Sequence, residues 1–495
     1  MAGVLALALI GILVTSCGGG GGGGSSSSDV AEFRVNSIQP FAGSVGADPD
    51  TRIVISFSIP IYLPSITVDQ FELREDLTNR RVTGTLGFTS ANRVAIFTPD
   101  ASLETMTRYR VRLPKSVSGV GPVPLPEDYL AFFTTGEGGD PPPPPPPDPG
   151  GRLRTLDDMV IGRSSHGSTL LADGRVLITA GFNTANTVTA TAELFSTTTE
   201  SFTRTGVDMV MDRGFHTATL LDDGRVLLAG GVSGASVSET ASAELYDPST
   251  DTFFSTGTMI DARAFHTATK LENGLVLIAG GTVPGASGVF SSRKCELYDP
   301  DTGVFSALPD MNAFRAGHTA TTLDDGRILL CGGNSTELRA EIFDPGVGAF
   351  TVVSGNMRVP RRGHSANLME DGTVLITGGG DRSGELFVPA QDLFRWANGF
   401  PLYERKDHTA TFVPGGRLFL TGGSYIAGSV LFFRTATEYY DPTSGAFLGS
   451  PLNLAEPRTR HRATRLEDGR VLITGGENLD PAKPELKSAE IYEAQ

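Results

Sequence analysis

The sequence predicts an all-β protein with more than one domain, on three observations. The chain has 495 residues, too many for a single hydrophobic core, and its 61 glycines and 31 prolines favour short strands and tight turns over long helices. Residues 30–137 alternate apolar and polar side chains in short runs typical of strands. From residue 151 onward, a unit of about 50 residues recurs to the end of the chain.

The formal charge of −16 argues against one class of partner. A protein that binds nucleic acid needs a surplus of lysine and arginine to neutralise phosphates, whereas this chain has 40 of those residues against 56 aspartates and glutamates. We therefore expect no nucleic-acid partner. The negative charge mainly favours solubility. We also expect the protein to be a monomer.

The first 29 residues predict export and a lipid anchor. Residues 4–14 form an apolar run that is too short to span a bilayer but suits an export signal, although no lysine or arginine precedes it. The run leads into VTSC, which ends at Cys17 and resembles the lipobox of bacterial lipoproteins. The resemblance implies a signal peptide over residues 1–16 and a lipid on Cys17 that holds the protein to a membrane. Glycines and serines then form a flexible tether over residues 17–29.

The residue after the modified cysteine bears on location. In the lipoproteins that this segment resembles, an aspartate there retains the protein at the inner membrane, and this chain has Gly18 instead. We therefore expect a cell-envelope protein anchored at the outer membrane or cell surface. The alternative is an apolar tail that contains a cysteine by chance.

Residues 30–137 predict a small β-sandwich. Their apolar runs include residues 53–57, 93–97 and 109–113, separated by proline, glycine and aspartate clusters. The order of these segments resembles the bacterial Ig-like domain of surface proteins, which implies a spacer. The stretch contains no cysteine, so no disulfide can join its sheets. Seven consecutive prolines within residues 138–150 then predict an extended, semi-rigid linker.

The seven histidines of the chain mark a repeat of 44 to 53 residues. An arginine stands three residues before each histidine, and a two-residue turn, mostly Asp-Gly or Asn-Gly, follows about eight residues after it. An apolar strand and a glycine doublet come next, and then a strand with a glutamate two positions before an aromatic residue. The repeated residues are Arg163, His166 and Glu193; Arg213, His216 and Glu244; Arg263, His266 and Glu296; Arg315, His318 and Glu341; Arg361, His364 and Glu385; Arg405, His408 and Glu438; and Arg458, His461 and Glu490.

Four strands per unit, a glycine doublet and two spaced aromatic residues resemble the kelch repeat, with phenylalanine where that repeat usually has tryptophan. The resemblance covers residues 151–495 and implies a seven-bladed β-propeller like that of galactose oxidase. The seventh unit stops after its third strand. Because the interval from Leu153 to Met159 equals that from Phe253 to Met259, we expect residues 152–159 to supply the missing strand and close the ring.

Identical residues in all seven units favour a structural role, because a ligand site usually breaks symmetry. We expect each arginine or histidine to reach, beside the glycine doublet, a glutamate of its own or the adjacent blade. The alternative is a ring of arginines and histidines around the channel mouth that binds an anion or a metal ion. We expect no metal and no cofactor. Cys295 and Cys331 occupy slots of small residues, so we expect core packing and no disulfide.

The segments between the glycine doublet and the third strand vary most among the units, and variable loops on a rigid scaffold commonly bind ligands. Aromatic residues beside polar groups suit stacking on sugar rings or on a protein edge. The alternative for Phe432 and Phe433 is that they begin the strand leading to Tyr439. The candidate ligand-binding residues on this loop face are Phe182, Asn183, Asp381, Arg382, Tyr425, Phe432, Arg434, Glu477 and Asn478.

Three functions are compatible with the sequence. The first is a lipid-anchored binding or scaffold protein that uses the loop face of the propeller to bind a glycan or a protein. The second, implied by resemblance to some exported kelch proteins, is a sialic-acid mutarotase-like activity, which needs arginine and glutamate in the channel. The third is a copper radical oxidase, which needs a cysteine crosslinked to a tyrosine, a second tyrosine and two histidines at the channel mouth. No residue is assigned a catalytic role, because the repeat accounts for every histidine.

Overall fold

The chain divides into two compact units, residues 1–138 and 139–495. The predicted signal peptide, Cys17, the tether and the proline linker all lie outside the described residues. Within the described part, no helix is long and apolar enough to cross a membrane. The computed structural model describes residues 33, 35–39, 45–47, 52–76, 78–89, 93–104, 107–121, 123–126, 128–135 and 151–494, the last range without 286–287, 335, 380, 398–400, 428–429 and 479–484.

The first unit contains two four-stranded sheets that share one hydrophobic core. Alternate residues Ile53, Ile55 and Phe57 are buried, as the period of a half-buried strand requires. Phe71 stacks on Phe97 with 4.8 Å between ring centroids. The predicted sandwich is therefore confirmed. In spatial order, the sheets consist of Val35–Gln39, Ile53–Phe57, Val94–Pro99 and Gly84–Thr89, and of Val45–Ala47, Tyr129–Thr135, Arg108–Leu113 and Glu72–Glu75; Ser118–Gly119 pairs with Val123–Pro124, and Leu63–Ser65 is a 3-10 turn.

The second unit contains seven four-stranded antiparallel sheets, which we number as blades 1 to 7. Tight turns at the predicted Asp-Gly and Asn-Gly positions join the first two strands of most blades, but they contain three residues and not two. In blade 1 the N–H of Leu171 donates to the carbonyl of Arg175, and of the two predicted turn residues only Gly174 has a positive φ. The blades consist of Gly167–Leu170, Val176–Thr179, Ala192–Ser196 and Ser201–Arg204; Thr217–Leu220, Val226–Ala229, Ala243–Asp247 and Thr252–Ser255; Thr267–Lys270, Val276–Ala279, Cys295–Asp299 and Val304–Ala307; His318–Thr322, Ile328–Gly332, Glu341–Asp344 and Ala349–Val352; His364–Leu368, Val374–Gly378, Gly384–Val388 and Leu393–Trp396; Thr409–Phe412, Leu418–Thr421, Ala436–Asp441 and Ala446–Asn453; and Arg462–Arg465, Val471–Thr474, Ala489–Glu493 and Arg152–Thr155.

The blades form a closed ring. The first strand of each blade lies beside the first strands of both neighbouring blades, and that of blade 7 returns to that of blade 1. The first strands are therefore innermost and surround the axis. This arrangement is a seven-bladed β-propeller, so the predicted fold class is confirmed.

Blade 7 is completed by a strand from the start of the unit. Arg152–Thr155 pairs antiparallel with Ala489–Glu493, with Leu153 opposite Tyr492. The strand is shorter than the predicted span of 152–159, but the amides of Leu156 and Met159 continue to donate to carbonyls of the same neighbouring segment. Arg154 also binds Glu200 of blade 1 at 2.8 Å. The segment therefore closes blade 7 and ties it to blade 1.

The hydrophobic cores lie between the blades. The second strand of every blade is buried along its whole length, because its two faces pack against neighbouring sheets. Cys295 and Cys331 are buried free thiols in two separate clusters. Burial raises their pKa values to about 12 and about 11, so both stay protonated at neutral pH.

A second 3-10 turn, Pro389–Gln391, precedes the fourth strand of blade 5.

Short hairpins extend several blades on the face where the first strands begin. The hairpins pair Arg163–Ser164 with Phe182–Asn183, Val232–Ser233 with Ser238–Glu239, Thr282–Gly285 with Gly288–Ser291, and Ser424–Ala427 with Val430–Phe433.

Candidate functional site

Each repeated arginine binds the repeated glutamate of its own blade, and both side chains are buried. In blade 2, Arg213 Nε donates to Glu244, and Arg213 Nη1 donates to the carbonyl of Gly230, the first residue of the glycine doublet. The glutamate also accepts the backbone N–H of Val210 at 2.7 Å. The shortest N–O distances are 2.5 Å for Arg163–Glu193, 2.8 Å for Arg213–Glu244, 2.5 Å for Arg263–Glu296, 3.0 Å for Arg315–Glu341, 3.0 Å for Arg361–Glu385, 2.7 Å for Arg405–Glu438 and 2.9 Å for Arg458–Glu490.

The repeated histidines do not reach the glutamates. Each imidazole instead lies between two blades, where its Nε2 shares a hydrogen bond with a hydroxyl group of the preceding blade at 2.9 to 3.2 Å. The pairs are His166 with Thr474, His216 with Thr179, His266 with Thr217, His318 with Thr267, His364 with Thr319, His408 with Ser365 and His461 with Thr409.

The histidines are held neutral. Nδ1 of all seven is buried without a hydrogen-bond partner, so a second proton would have no acceptor. Burial lowers the pKa of every one below the usual 6.5, to about 3 for His318 and His408, and neighbouring arginines lower it further. Neither the buried ion pairs nor the neutral imidazoles present charge to the axis.

The glycine doublet allows neighbouring blades to approach closely. The N–H of Gly281 donates to the carbonyl of Arg315 in the next blade, and the equivalent bond recurs around the ring, ending with Gly476 and Arg163. Gly281 has φ +96°, and a Cβ there would lie 2.6 Å from the carbonyl oxygen of Ala264. A side chain at Gly281 is therefore excluded by the backbone angle and by a segment of its own blade. At Gly280 it is excluded by the next blade, because a Cβ there would lie 2.7 Å from the carbonyl oxygen of Arg315.

The residues that stand immediately before the histidines form a ring of their own at the axis. All seven have left-handed φ angles of 52° to 68°. The N–H of each donates to the carbonyl of its counterpart in the preceding blade at 2.8 to 3.3 Å, and Ser165 donates to Arg460 to complete the circle. We call this ring the axial belt; its members are Ser165, Phe215, Phe265, Gly317, Gly363, Asp407 and Arg460.

The axial belt is the place where the sevenfold pattern of side chains is broken. Phe215 and Phe265 stack with 4.0 Å between centroids, and Arg460 lies over the Phe215 ring at 5.3 Å. On the other side, Arg362 lies over the Phe265 ring at 5.5 Å. Strained backbone with nonequivalent side chains at one centre is typical of a functional site. We call the belt together with Arg362 and Arg462 the axial mouth.

Charge at the axial mouth is centred on one carboxylate. Asp407 lies 3.6 Å from Arg460, whose other partner is Glu477 at 2.7 Å. Arg462 begins the innermost strand of blade 7 and donates from Nε to the carbonyl of His166 at 2.6 Å, while its side chain remains accessible to water. Burial lowers the pKa of Arg362, and the charge of Asp407 opposes this shift.

The structure places the first predicted loop residues in structural roles. Phe182 is 5% exposed and packs against Phe215 of the belt at 5.4 Å between centroids. Asn183 accepts the backbone N–H of Ala185 and thereby stabilises its own turn. Asp381 accepts hydrogen bonds from Ser383 and from the guanidinium of Arg361, and Arg382 donates to the carbonyl of Pro401.

The blade 6 hairpin presents the most exposed of the predicted aromatic residues. Tyr425 stacks on Phe432 with 5.2 Å between centroids, and Phe432 is 37% exposed. Arg434 lies 3.7 Å from the centroid of the Tyr425 ring. Phe432 and Phe433 belong to this hairpin, not to the separate strand Ala436–Asp441 that contains Tyr439.

The last predicted pair follows the glycine doublet of blade 7. Glu477 binds Arg460 and so borders the axial mouth, and Asn478 is the next residue along the chain. Nearby, Glu485 is buried, and its Oε2 lacks a hydrogen-bond partner. Burial, with a smaller contribution from Glu477, raises the pKa of Glu485 to about 7. Of the predicted loop residues, the structure therefore brings Phe182 of blade 1 and Glu477 of blade 7 into contact with the belt.

The described residues do not fit the donor set that copper radical chemistry requires. They contain no group of three or more histidine, cysteine, aspartate or glutamate side chains arranged to hold a metal ion. Both described cysteines are buried within the blades, and every histidine is bonded to a hydroxyl group between blades. We therefore assign no copper-dependent reaction to these residues.

Comparisons with known proteins support the fold class. Residues 29–135 match the family model of the bacterial Ig-like domain. The first unit thus carries a bacterial Ig-like domain. The chain is similar to a solved structure described as a novel fungal alcohol oxidase with catalytic diversity among the AA5 family, in complex with copper, at 16% identity and a TM-score of 0.55, over 70% of this chain and 76% of that chain. It is also similar to the structure of YjhT, at 13% identity and a TM-score of 0.45, over 68% of this chain and 96% of that chain.

No curated protein matches the chain. At 16% identity, the likeness to the fungal oxidase shows a shared propeller fold alone. We therefore infer function from the residues of this chain.

Sequence reasoning missed the axial mouth. Its signal was present inside the repeated motif, where the arginine and histidine recur but the residue directly before the histidine changes from serine to phenylalanine, glycine, aspartate and arginine. A change of chemistry within an otherwise constant motif marks a position that the scaffold leaves free.

Proposed function

We propose that the protein is a lipid-anchored binding protein of the cell envelope that presents the axial mouth and loop face of its propeller to a glycan or protein ligand. The segment that resembles a lipobox, the tether after Cys17 and the bacterial Ig-like domain support display at a surface. A single acyl chain gives reversible attachment, whereas a lipid with two chains on Cys17 would hold the protein stably.

The observation that carries the binding role is the contrast between the repeated ion pairs and the axial mouth. Seven equivalent arginines are neutralised inside the blades, where they fix the architecture. By contrast, Arg362 makes no side-chain hydrogen bond to any described residue and is held against Phe265. Rigid aromatic and arginine side chains held by a scaffold are the residue types that dominate recognition surfaces.

Binding is tested on the full-length chain released from membranes with mild detergent. A glycan array and a pull-down from envelope extract should each be repeated with Phe265→Ala, which removes the platform beneath Arg362. We expect a defined set of ligands, weakened roughly tenfold or more by the substitution. A folded protein that retains no ligand in either experiment would refute the binding role.

The anchor is tested separately. Cells that express the full chain are fed a fatty acid that carries a detectable label, and Cys17→Ser is the matched variant. We expect label and membrane association in the parent protein and neither in the variant. Equal labelling of both proteins would show that Cys17 is not the lipid site.

A sugar-isomerising activity of the mutarotase type is a second candidate, favoured by the pairing of Arg460 with Asp407 at 3.6 Å at the axis. An arginine can hold a sugar oxygen while a carboxylate transfers a proton. Exchange between sugar anomers, followed by magnetisation transfer in NMR, should then be accelerated by the parent protein and not by Asp407→Asn. Equal acceleration by both proteins would contradict this candidate.

A further inference from the structure

Two arginines of the axial mouth have guanidinium N–H groups that no described residue satisfies. Arg362 makes no side-chain hydrogen bond or ion pair within the described part of the chain, and Arg462 uses only its Nε, on the carbonyl of His166. Arg460, by contrast, is paired with both Asp407 and Glu477. Neither guanidinium is fully buried, so the N–H groups that Arg362 and Arg462 do not use are open to water and available to an acceptor on a ligand.

The belt makes room for these side chains. A Cβ at Gly317 would lie 3.2 Å from Arg362 Nε, and a Cβ at Gly363 would overlap the carboxylate of Asp407. The two glycines therefore leave the space into which the charged groups of the neighbouring blades fold. Stacking on Phe265 also fixes the plane of Arg362, which lowers the entropy lost when its N–H edge binds a partner.

Charge complementarity selects the chemistry of that partner. Arg362 lies over the ring of Phe265 and Arg462 bonds the carbonyl of His166, the residue after Ser165, so both side chains reach the belt. The same belt holds the ion pair of Asp407 and Arg460. An anionic oxygen pair suits the planar donor fork of arginine better than any neutral group does. The innermost strands and the belt enclose the site, so screening by salt is weaker there than on an open surface.

We infer that the axial mouth is an anion site, in which Arg362 and Arg462 bind a carboxylate or phosphate group carried by an acidic glycan. The inference rests on the proposed binding function and names the class of its ligand. Phe265 holds Arg362 in place and the carbonyl of His166 holds Arg462, while Asp407 limits affinity by repelling the anion. An acidic glycan enters with its charged group toward the axis and its remaining sugars toward the blade hairpins.

The test measures the affinity of the full-length chain for three probes. These are a short oligogalacturonate, which carries carboxylates, an oligomer of glycerol phosphate, which carries phosphodiesters, and a neutral cello-oligosaccharide. We expect one charged probe to bind, and Arg462→Gln and Arg362→Gln each to weaken it roughly 10- to 100-fold. The charged probe that binds identifies the source of the anion.

Two further variants separate this inference from general loss of folding. Asp407→Asn keeps a residue that tolerates left-handed φ and removes the repelling charge, so it should tighten the charged probe several-fold. Arg293→Gln removes an exposed arginine that pairs with Asp310, away from the belt, and should leave affinity unchanged. Thermal unfolding midpoints establish that each variant is folded.

The outcomes distinguish the two proposals. If glycans bind but the charged probes bind no better than the neutral one, or if Arg362→Gln and Arg462→Gln bind as the parent does, the proposed anion site is wrong. The binding function then stands. Looser binding of the anion by Asp407→Asn would also overturn the site. If none of the probes or array glycans binds the folded chain, the binding function itself fails.

Discussion

Mild acid should destabilise the propeller far more than a typical domain, because its seven histidines are buried and neutral. They are between 0% and 9% exposed, and their pKa values all lie below the usual 6.5. In the unfolded chain each would take up a proton near pH 6.5. Below that pH the unfolded state binds more protons than the folded state, so stability present at neutral pH is lost as the pH falls.

The expected loss is large. A histidine that stays neutral when folded and titrates normally when unfolded costs about 1.4 kcal/mol at pH 5.5, so seven cost about 10 kcal/mol. Glu485, whose pKa is raised to about 7 by burial and then by Glu477, acts in the opposite direction and offsets about one proton. The free energy of unfolding of a domain is roughly 5–15 kcal/mol, so most of it should be gone by that pH.

Urea unfolding at a series of pH values from 7.5 to about 5.5 measures the effect. Fluorescence of Trp396, the single tryptophan, reports on the propeller. The Ig-like unit contains no histidine, so its own transition, followed by circular dichroism, serves as an internal control. We expect the propeller midpoint to fall steeply below pH 6.5 and the Ig-like midpoint to change little.

A matched substitution tests the assignment to individual histidines. His266→Gln keeps an amide that can bond the hydroxyl of Thr217 and removes one titrating group. The pH dependence should then fall by about one proton, or about 1.4 kcal/mol per pH unit. An unfolding free energy that stays flat between pH 7 and pH 5.5, or a slope of fewer than about two protons, would refute the reasoning.

Three further predictions concern the ring. Glu296→Gln leaves the guanidinium of Arg263 buried without its counterion, and urea unfolding should show a loss of about 3–5 kcal/mol. Gly281→Ala should cost several kcal/mol more than Gly224→Ala, since both glycines have positive φ but only the first has backbone and side-chain atoms within 3 Å of a new Cβ; equal midpoints would contradict the close-approach argument. Deleting the chain through residue 156 removes the strand Arg152–Thr155 and should yield an unstable or self-associating propeller in sedimentation, whereas a chain that begins at residue 151 should stay monomeric.

The scaffold could be predicted from the sequence because the same backbone and packing requirements apply in every unit. The buried Arg–Glu pair recurs in all seven units, and the turn and the doublet with positive φ recur with few changes, such as Ala180 in place of the first glycine, so together they reveal the period. The closing strand was predictable for the same reason, since Leu153 stands at the distance from Met159 that the other blades show. The partner of the histidines was not predictable, because the hydroxyl that each one binds lies on a neighbouring blade, 37 to 52 residues away and, for His166, 308 residues away.

The candidate site was harder to predict, because binding and turn formation use the same residue types. Asn183 and Asp381 stand in variable loops, yet both accept backbone N–H groups of their own turns. Local preference also argues against the conformation of the axial belt, since a phenylalanine such as Phe215 seldom adopts positive φ. Only closure of the ring, which bonds Ser165 to Arg460, imposes that conformation, and no local pattern contains it.

The axial belt explains how one propeller can combine strict repetition with a specific site. Its hydrogen bonds join main-chain groups alone, so the ring closes equally well over serine, phenylalanine, aspartate or arginine. The side chains are therefore free to differ, and they segregate: Phe215 and Phe265 extend from blades 2 and 3, whereas Asp407 and Arg460 come from blades 6 and 7. Because Arg460 and Arg362 lie over these two rings, a ligand that approaches along the axis meets guanidinium groups held on aromatic faces, with the carboxylate of Asp407 at one side. This asymmetry favours one orientation of the ligand. The polar side chains of the exposed loops mostly accept hydrogen bonds within their own turns. We therefore expect the residues that determine specificity at the axis and not at the rim.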